Sequence, residues 1–179
     1  VTRHGRQTAL FHTLNGRSSL VFPRKCLVFT KLNTQNRYMH TKIQWQKNVH
    51  FTAIADSGHE VSIDGPPDSG GDNLGVRPME LMLMGVGGCT SFDVVNILRK
   101  SRQKVTNCVT EITAKRADDV PQVFETIHSH FAIEGDNLDA ARVERAIALT
   151  AEKYCSASIM LQRAGVEITH TFDIQQIET

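Results

Sequence analysis

Two cysteines stand in settings that could make a thiol reactive. Cys89 lies in the run Gly87-Gly88-Cys89-Thr90-Ser91-Phe92-Asp93, and Cys155 lies in Glu152-Lys153-Tyr154-Cys155-Ser156-Ala157-Ser158. The thiolate, not the thiol, is the nucleophile, so what matters is which neighbours favour the charged form. Glycines 85, 87 and 88 each cost a helix about 1 kcal/mol relative to Ala. Three within four residues predict close approach of another backbone or a ligand at the turn before Cys89. Cys155 falls where one helix ends and another could begin, and the free N–H groups of a new helix would lower a thiol pKa. Either cysteine also reads as a small core hydrophobe or a thiol at a packing corner. Cys108 shares a strand parity with Thr110, Ile112 and Ala114 and reads as structural.

Other chemistries find less support. His128 and His130 share a strand face, with His170 on another strand. Such a set could bind a metal, but no fourth ligand accompanies it, and solvent-facing histidines are ordinary on an alternating strand. The glycines of 70–75 precede no lysine in phosphate-loop spacing, and no GxSxG elbow appears. No metal and no cofactor are therefore expected.

The elements that must position the cysteines follow from periodicity. Residues 41–54 alternate, with Ile43, Trp45, Val49, Phe51 and Ala53 on one parity: a half-buried strand or a bent hairpin. A turn at Asp56-Ser57-Gly58 leads to a short strand around Glu60 to Asp64, with Val61 and Ile63 inward. Residues 64–76 are the clearest loop. Pro78 then opens a helix, as suits a residue without an N–H, and Arg99, Lys100 and Arg102 close it with the charge a helix C-terminus favours. Residues 105–115 and 121–134 read as an antiparallel pair, with Val123, Ile127, Phe131 and Ile133 on one face. Asp139 is the N-cap candidate of a helix carrying Val143, Ile147, Ala151 and Tyr154. SASIMLQR reads as a separate short helix stopped by Gly165, and VEITHTFDI as the last strand. That order predicts an α+β fold with a mainly antiparallel sheet.

The chain has 179 residues and a formal net charge of +1. Residues 1–38 hold seven basic and no acidic side chains, so residues 39–179 carry 13 basic and 19 acidic ones. The basic leader reads as a start called too early, with Met39 opening the patterned region, as an Arg-rich transit peptide, or as a nucleic-acid-binding arm. The domain is expected over 39–179, with no nucleic-acid or membrane partner. No apolar run approaches the roughly 18 residues that span a bilayer, and Met79 to Leu98 reads as a buried helix. Three body cysteines with no CxxC fit neither a disulfide scaffold nor a zinc ribbon. Reduced thiols and a cytoplasmic location are the expectation.

Gly75-Val76-Arg77-Pro78-Met79-Glu80-Leu81, followed by Gly87 to Val95, resembles the first cysteine motif of the OsmC/Ohr family, the osmotically inducible and organic hydroperoxide resistance proteins. Glu152 to Ser158 resembles the second, and the 66-residue separation of the two cysteines fits. The resemblance covers about residues 45–175. It implies an intertwined α+β homodimer with a long central cysteine-bearing helix. It also implies peroxiredoxin-like chemistry on a small-molecule hydroperoxide, with Cys89 as the attacking thiol, Cys155 as the resolving one, and a dithiol reductant to reopen the disulfide.

Two positions depart from the peroxidase pattern. Those members carry Glu directly after the motif proline, where this chain has Met79 and displaces the glutamate to Glu80. Nine residues on an ideal helix leave Glu80 about half a turn out of phase with Cys89. They also carry Arg in the early-strand turn, which here is Ala55-Asp56-Ser57-Gly58, leaving Arg77 as the substitute cation. The site expected is Cys89, Cys155, Glu80 and Arg77. Met79, Met82, Leu83, Met84 and Phe92 would line it for an apolar substrate. The rival reading is a non-peroxidase relative that binds a small apolar or thiol-containing ligand, with Cys89 as a packing residue.

Overall fold

The alternating residues after Met39 fold back on themselves. In the computed structural model, β1 (Thr41–Lys47) and β2 (His50–Ala55) form an antiparallel hairpin that pairs Ile43 with Ala53 and Trp45 with Phe51. The turn passes through Asn48 at φ 46°, and the Trp45 indole N–H donates to the Asn48 carbonyl at 2.8 Å. The bent hairpin is thus the form adopted. β1 is exposed along its whole length, however, with Trp45 63% exposed. β3 (Glu60–Ile63) completes an antiparallel three-stranded sheet in the order β1-β2-β3. Val61, expected inward, is exposed. The structure describes residues 38–177, so all but the last residue of the basic leader lies outside the described residues.

Loop 64–77 is more ordered than its composition suggests. The Asp64 carboxylate, 1% exposed, accepts from the backbone N–H groups of Gly65, Asp72 and Leu74 at 2.7, 3.0 and 2.9 Å. These bonds hold its pKa below the usual carboxylate value, the Leu74 amide contributing most. A Cβ on Gly71 would stand 2.0 Å from the Gly65 carbonyl oxygen, so the two loop arms meet backbone to backbone.

Pro78 starts α1 (Pro78–Lys100) at its first position, and Arg99 and Lys100 occupy its last turn. Val86, Thr90, Val94 and Leu98 recur at helical spacing and form its buried stripe. By length and composition this helix is long and apolar enough to cross a membrane, although Glu80 and Asp93 interrupt its apolar run. Here its inner face packs on protein instead.

β4 (Lys104–Arg116) and β5 (Phe124–Asp136) pair antiparallel through a turn containing Ala117 to Pro121. Ile127, Phe131 and Ile133 are buried on the inner face of β5, whereas Val123 lies before the strand and is exposed. Asp139 caps α2 (Ala140–Leu149), accepting from the N–H groups of Ala141 and Arg142. A π-helical turn, Thr150–Tyr154, links it to α3 (Ser156–Arg163). Val143 and Ile147 are buried as expected, Ala151 is half-buried, and Tyr154 is exposed.

β6 (Glu167–Gln176) returns to pair with β5 in parallel, giving the order β4-β5-β6. The fold is α+β, and among the described residues three of the four strand pairings are antiparallel. Its core has two apolar clusters. Val94, Leu98, Phe131, Ile133, Val143 and Ile147 lie in one, with Cys108 packed against it. Phe124, Ile127 and Val166 form the other, with Met79, Leu83 and Ile112 against it.

Candidate functional site

Cys89 and Asp93 lie one helical turn apart on α1, so their side chains leave the same face. Cys155 reaches that face from elsewhere. The π-helical turn ends with the Cys155 N–H donating to the Thr150 carbonyl at 2.9 Å. The backbone then extends at Cys155, with φ −71° and ψ 97°, and α3 begins at the next residue. The two sulfurs and an Asp93 carboxylate oxygen all lie within 4.8 Å of one another. Residues 66 apart in sequence thus become neighbours in space, as the two cysteine motifs lead one to expect. Both thiols are free.

Their surroundings differ. Cys155 is 0% exposed, whereas Cys89 and Asp93 are half-buried. The Ser158 N–H and hydroxyl donate to the Cys155 sulfur at 3.4 and 3.2 Å. Those donors favour the thiolate, as a helix start should. Burial opposes them more strongly, and the Cys155 thiol is pushed above its ordinary pKa, with the nearby Cys89 adding to the rise. The expectation that the new helix would lower this pKa is therefore corrected: the helix is there, but desolvation outweighs it. Cys108 is likewise pushed up by burial, and it sits in the β4 ladder against the core.

Arg77 and Glu80 act at the helix start. The Glu80 carboxylate accepts from the Arg77 backbone N–H at 2.9 Å, half of a capping box. The Arg77 guanidinium donates to the carbonyls of Asp64 and Gly75 at 3.1 and 3.2 Å, and to the Asn73 side-chain oxygen at 2.7 Å. It fastens loop 64–77 to α1. Nine residues of helix, a rise of about 13 Å, separate Glu80 from Cys89, so within one chain these charges do not join the thiols. Among the described residues Asp93 makes no hydrogen bond or ion pair. The spacing of four already sets Asp93 one turn on from Cys89, and the fold adds its approach to the Cys155 sulfur.

The glycine cluster has one steric reason inside the chain. A Cβ on Gly87 would meet the Ile112 Cδ1 at 2.6 Å, so β4 lies directly over that position, while Gly85 and Gly88 face open space. Thr90 and Ser91, adjacent to Cys89, turn back to helix carbonyls, and the Ser91 hydroxyl also pairs with Thr110 of β4 at 2.6 Å.

Two clefts flank α1, each of about 470 Å³. One is lined by Glu80, Leu83, Met84, Gly87, Ser91 and Ile112. The other runs from Asp93 past Phe92, Asn96, Ile97 and Lys100 to Leu149 and Tyr154. The expected apolar lining is therefore divided. Met79 and Leu83 pack on the core, Met84 and Phe92 enter different clefts, and Met82 is exposed.

A smaller concavity of about 340 Å³ includes His128 on the outer face of the second sheet. The three histidines cannot share an ion. His128 and His130 bond outward to Thr169 and Thr171, while His170 turns inward, stacked on Phe131.

This geometry has counterparts in known proteins. The profile of the family described as OsmC-like protein matches residues 70–171, a span holding both cysteines. Protein YhfA of Escherichia coli K12 is 40% identical over 136 residues, which is 76% of this chain and 98% of YhfA. A solved structure from structural genomics is 37% identical with a TM-score of 0.70, covering 78% of this chain and 100% of its own length. An organic hydroperoxide resistance protein from Elizabethkingia anophelis superposes with a TM-score of 0.58 at 14% identity, over 79% of this chain and 99% of its own, and shows likeness of fold. With the paired cysteines, the long helix and the profile match all falling on the same residues, the chain belongs to the OsmC-like protein family.

Proposed function

We propose that this chain is a thiol-dependent peroxidase for organic hydroperoxides, working through Cys89 and Cys155. The observation that supports it best is the approach of the two sulfurs to within 4.8 Å from two separate elements. A disulfide sets its two sulfurs about 2.0 Å apart, so the pair must close further for the bond to form. Exposure distributes the roles. Half-buried Cys89 is the thiol a peroxide can reach, and fully buried Cys155 is the one held back to resolve.

The Cys89 thiolate attacks the distal peroxide oxygen. An S–O bond forms, the O–O bond breaks, and the alkoxide leaves as the alcohol after taking a proton. Cys155 sulfur then attacks the sulfenic sulfur, water leaves, and a disulfide forms before further oxidation can occur. A dithiol reductant returns both thiols by exchange. The cleft leading away from Asp93, with Phe92, Ile97, Leu149 and Tyr154, suits an apolar peroxide substituent. Arg77 and Glu80 enter as positioning residues that hold loop 64–77 and the start of α1.

The working unit in this reading is a homodimer. Met82, Met84 and Phe92 are exposed on α1, Phe92 by 68%, beside the open space at Gly85 and Gly88. A second copy of the same apolar face would cover them.

Organic hydroperoxide consumption with a dithiol reductant tests the chemistry. Cys89→Ser is expected to lose at least about a hundredfold in rate, as removal of a nucleophile does. Cys155→Ser is expected to complete one turnover and stop at the sulfenic acid, which mass spectrometry of a dimedone adduct reads. Full activity in Cys89→Ser would overturn the proposal and leave ligand binding, with Cys89 as packing, in its place.

A further inference from the structure

Asp93 stands half-buried one helical turn from Cys89, and among the described residues no cation pairs with it. These two groups and Cys155 make good sense around a positive ion. Cys89 and Asp93 project one turn apart from a rigid 23-residue helix, and Cys155 faces them from the corner before α3.

In a tetrahedral zinc site, sulfur lies about 2.3 Å and carboxylate oxygen about 2.0–2.2 Å from the metal. Ligand atoms then stand about 3.6–3.8 Å apart. The three atoms here already lie within 4.8 Å of one another, so the spacing of a zinc site asks for a closure of about 1 Å. An outer shell is present too. The Ser158 hydroxyl and backbone N–H point at the Cys155 sulfur, the kind of hydrogen bond that orients a bound thiolate. Two sulfurs with one carboxylate select a thiophilic, borderline-soft divalent ion over calcium or magnesium.

We propose that Cys89, Asp93 and Cys155 form a binding site for a thiophilic divalent cation of the Zn²⁺ class, with the fourth position left to solvent. Binding requires the two thiols to give up their protons to solvent, two per ion, and no electrons move. The bound form is a bis-thiolate with one carboxylate, and it withholds both sulfurs from oxidation. The cation site needs the juxtaposition of the three side chains but not their reaction with peroxide.

The test uses the full chain, reduced and stripped of metal. It is titrated with Zn²⁺ against a chromophoric chelator and, separately, with Co²⁺, whose thiolate charge-transfer absorption reports sulfur ligation. One ion per chain is expected, with release of two protons in weak buffer and protection of Cys89 and Cys155 from alkylation. Asp93→Asn is expected to weaken Zn²⁺ by about tenfold or more, and Cys89→Ala to abolish the cobalt–thiolate absorption. Cys108→Ser is expected to change neither, and circular dichroism confirms that each variant is folded. Binding that survives in Cys89→Ala, or the absence of stoichiometric binding to the wild-type chain, would refute the site. Peroxide turnover is measured on the metal-free protein, so loss of that activity and loss of the cation site are read separately.

Discussion

Individual side chains in this protein are decided by what burial leaves unpaired. His170 stacks on Phe131 with centroids 6.1 Å apart, and its Nε2 is buried without a partner. Burial, helped by the positive charge that His128 can carry, lowers its pKa below the ordinary histidine value. The folded state therefore takes up a proton less readily than the unfolded chain. Its contribution to stability is complete above about pH 6.5, the unfolded value. It is lost as pH falls from there toward the lowered folded value. Urea unfolding at pH 7.5 and 5.5 is expected to show the wild type losing stability on acidification and His170→Phe losing distinctly less. An equal loss in both would mean that other groups carry the acid sensitivity. Ser129, the strand partner of His170, is also buried with an unpaired hydroxyl, so this stretch of core is tuned by more than apolar packing.

At the scale of elements, the glycine-bearing part of α1 and its cover, β4, form one unit. In Gly87→Ala the new methyl would meet Ile112 Cδ1. Because that Cδ1 is the free end of the Ile112 side chain and can swing aside, an overpacking cost of about 1 kcal/mol and the roughly 1 kcal/mol gained in helix propensity nearly cancel. Ile112→Val removes that Cδ1, and in its background Gly87→Ala is expected to stabilise. A double-mutant cycle by urea denaturation measures the coupling between the two positions, and additive effects would refute the contact.

This unit also shows how far the residues could be read directly. The helix was legible because Pro78 at its start and Arg99 and Lys100 at its end are local signals. The pairing of Cys89 with Cys155 rested on motif resemblance, since spacing alone says nothing about contact across 66 residues. Three features depend on tertiary context and were not legible. The first is that Ile43 and Trp45 stay exposed, because alternation reports a face but not what covers it. The second is the parallel placement of β6. The third is the buried role of Asp64, whose loop composition suggested solvent.

The whole molecule presents more apolar surface than a lone domain needs. Phe92, Met82, Met84, Ile43 and Trp45 are all exposed, and the long apolar helix α1 has one side uncovered within the chain. Light scattering after size exclusion is expected to give a dimer for the wild type. Phe92→Glu is expected to shift it to monomer by weakening association at least about a hundredfold, since a buried charge and a lost aromatic anchor act together. A wild type that is monomeric at tens of micromolar would remove the dimer from the proposal.

The parallel pairing of β5 with β6 also sets an order of events during synthesis. β4 and β5 are neighbours along the chain and can zip as a hairpin while translation continues. Their outer partner is the last strand, ten registered pairs that emerge only after α2 and α3. Until then β5 offers a free edge along Ile127, Phe131 and Ile133, a template on which foreign strands can add. A nascent chain paused before Glu167 is therefore the adhesive form of this protein, and chaperone demand should peak in that interval.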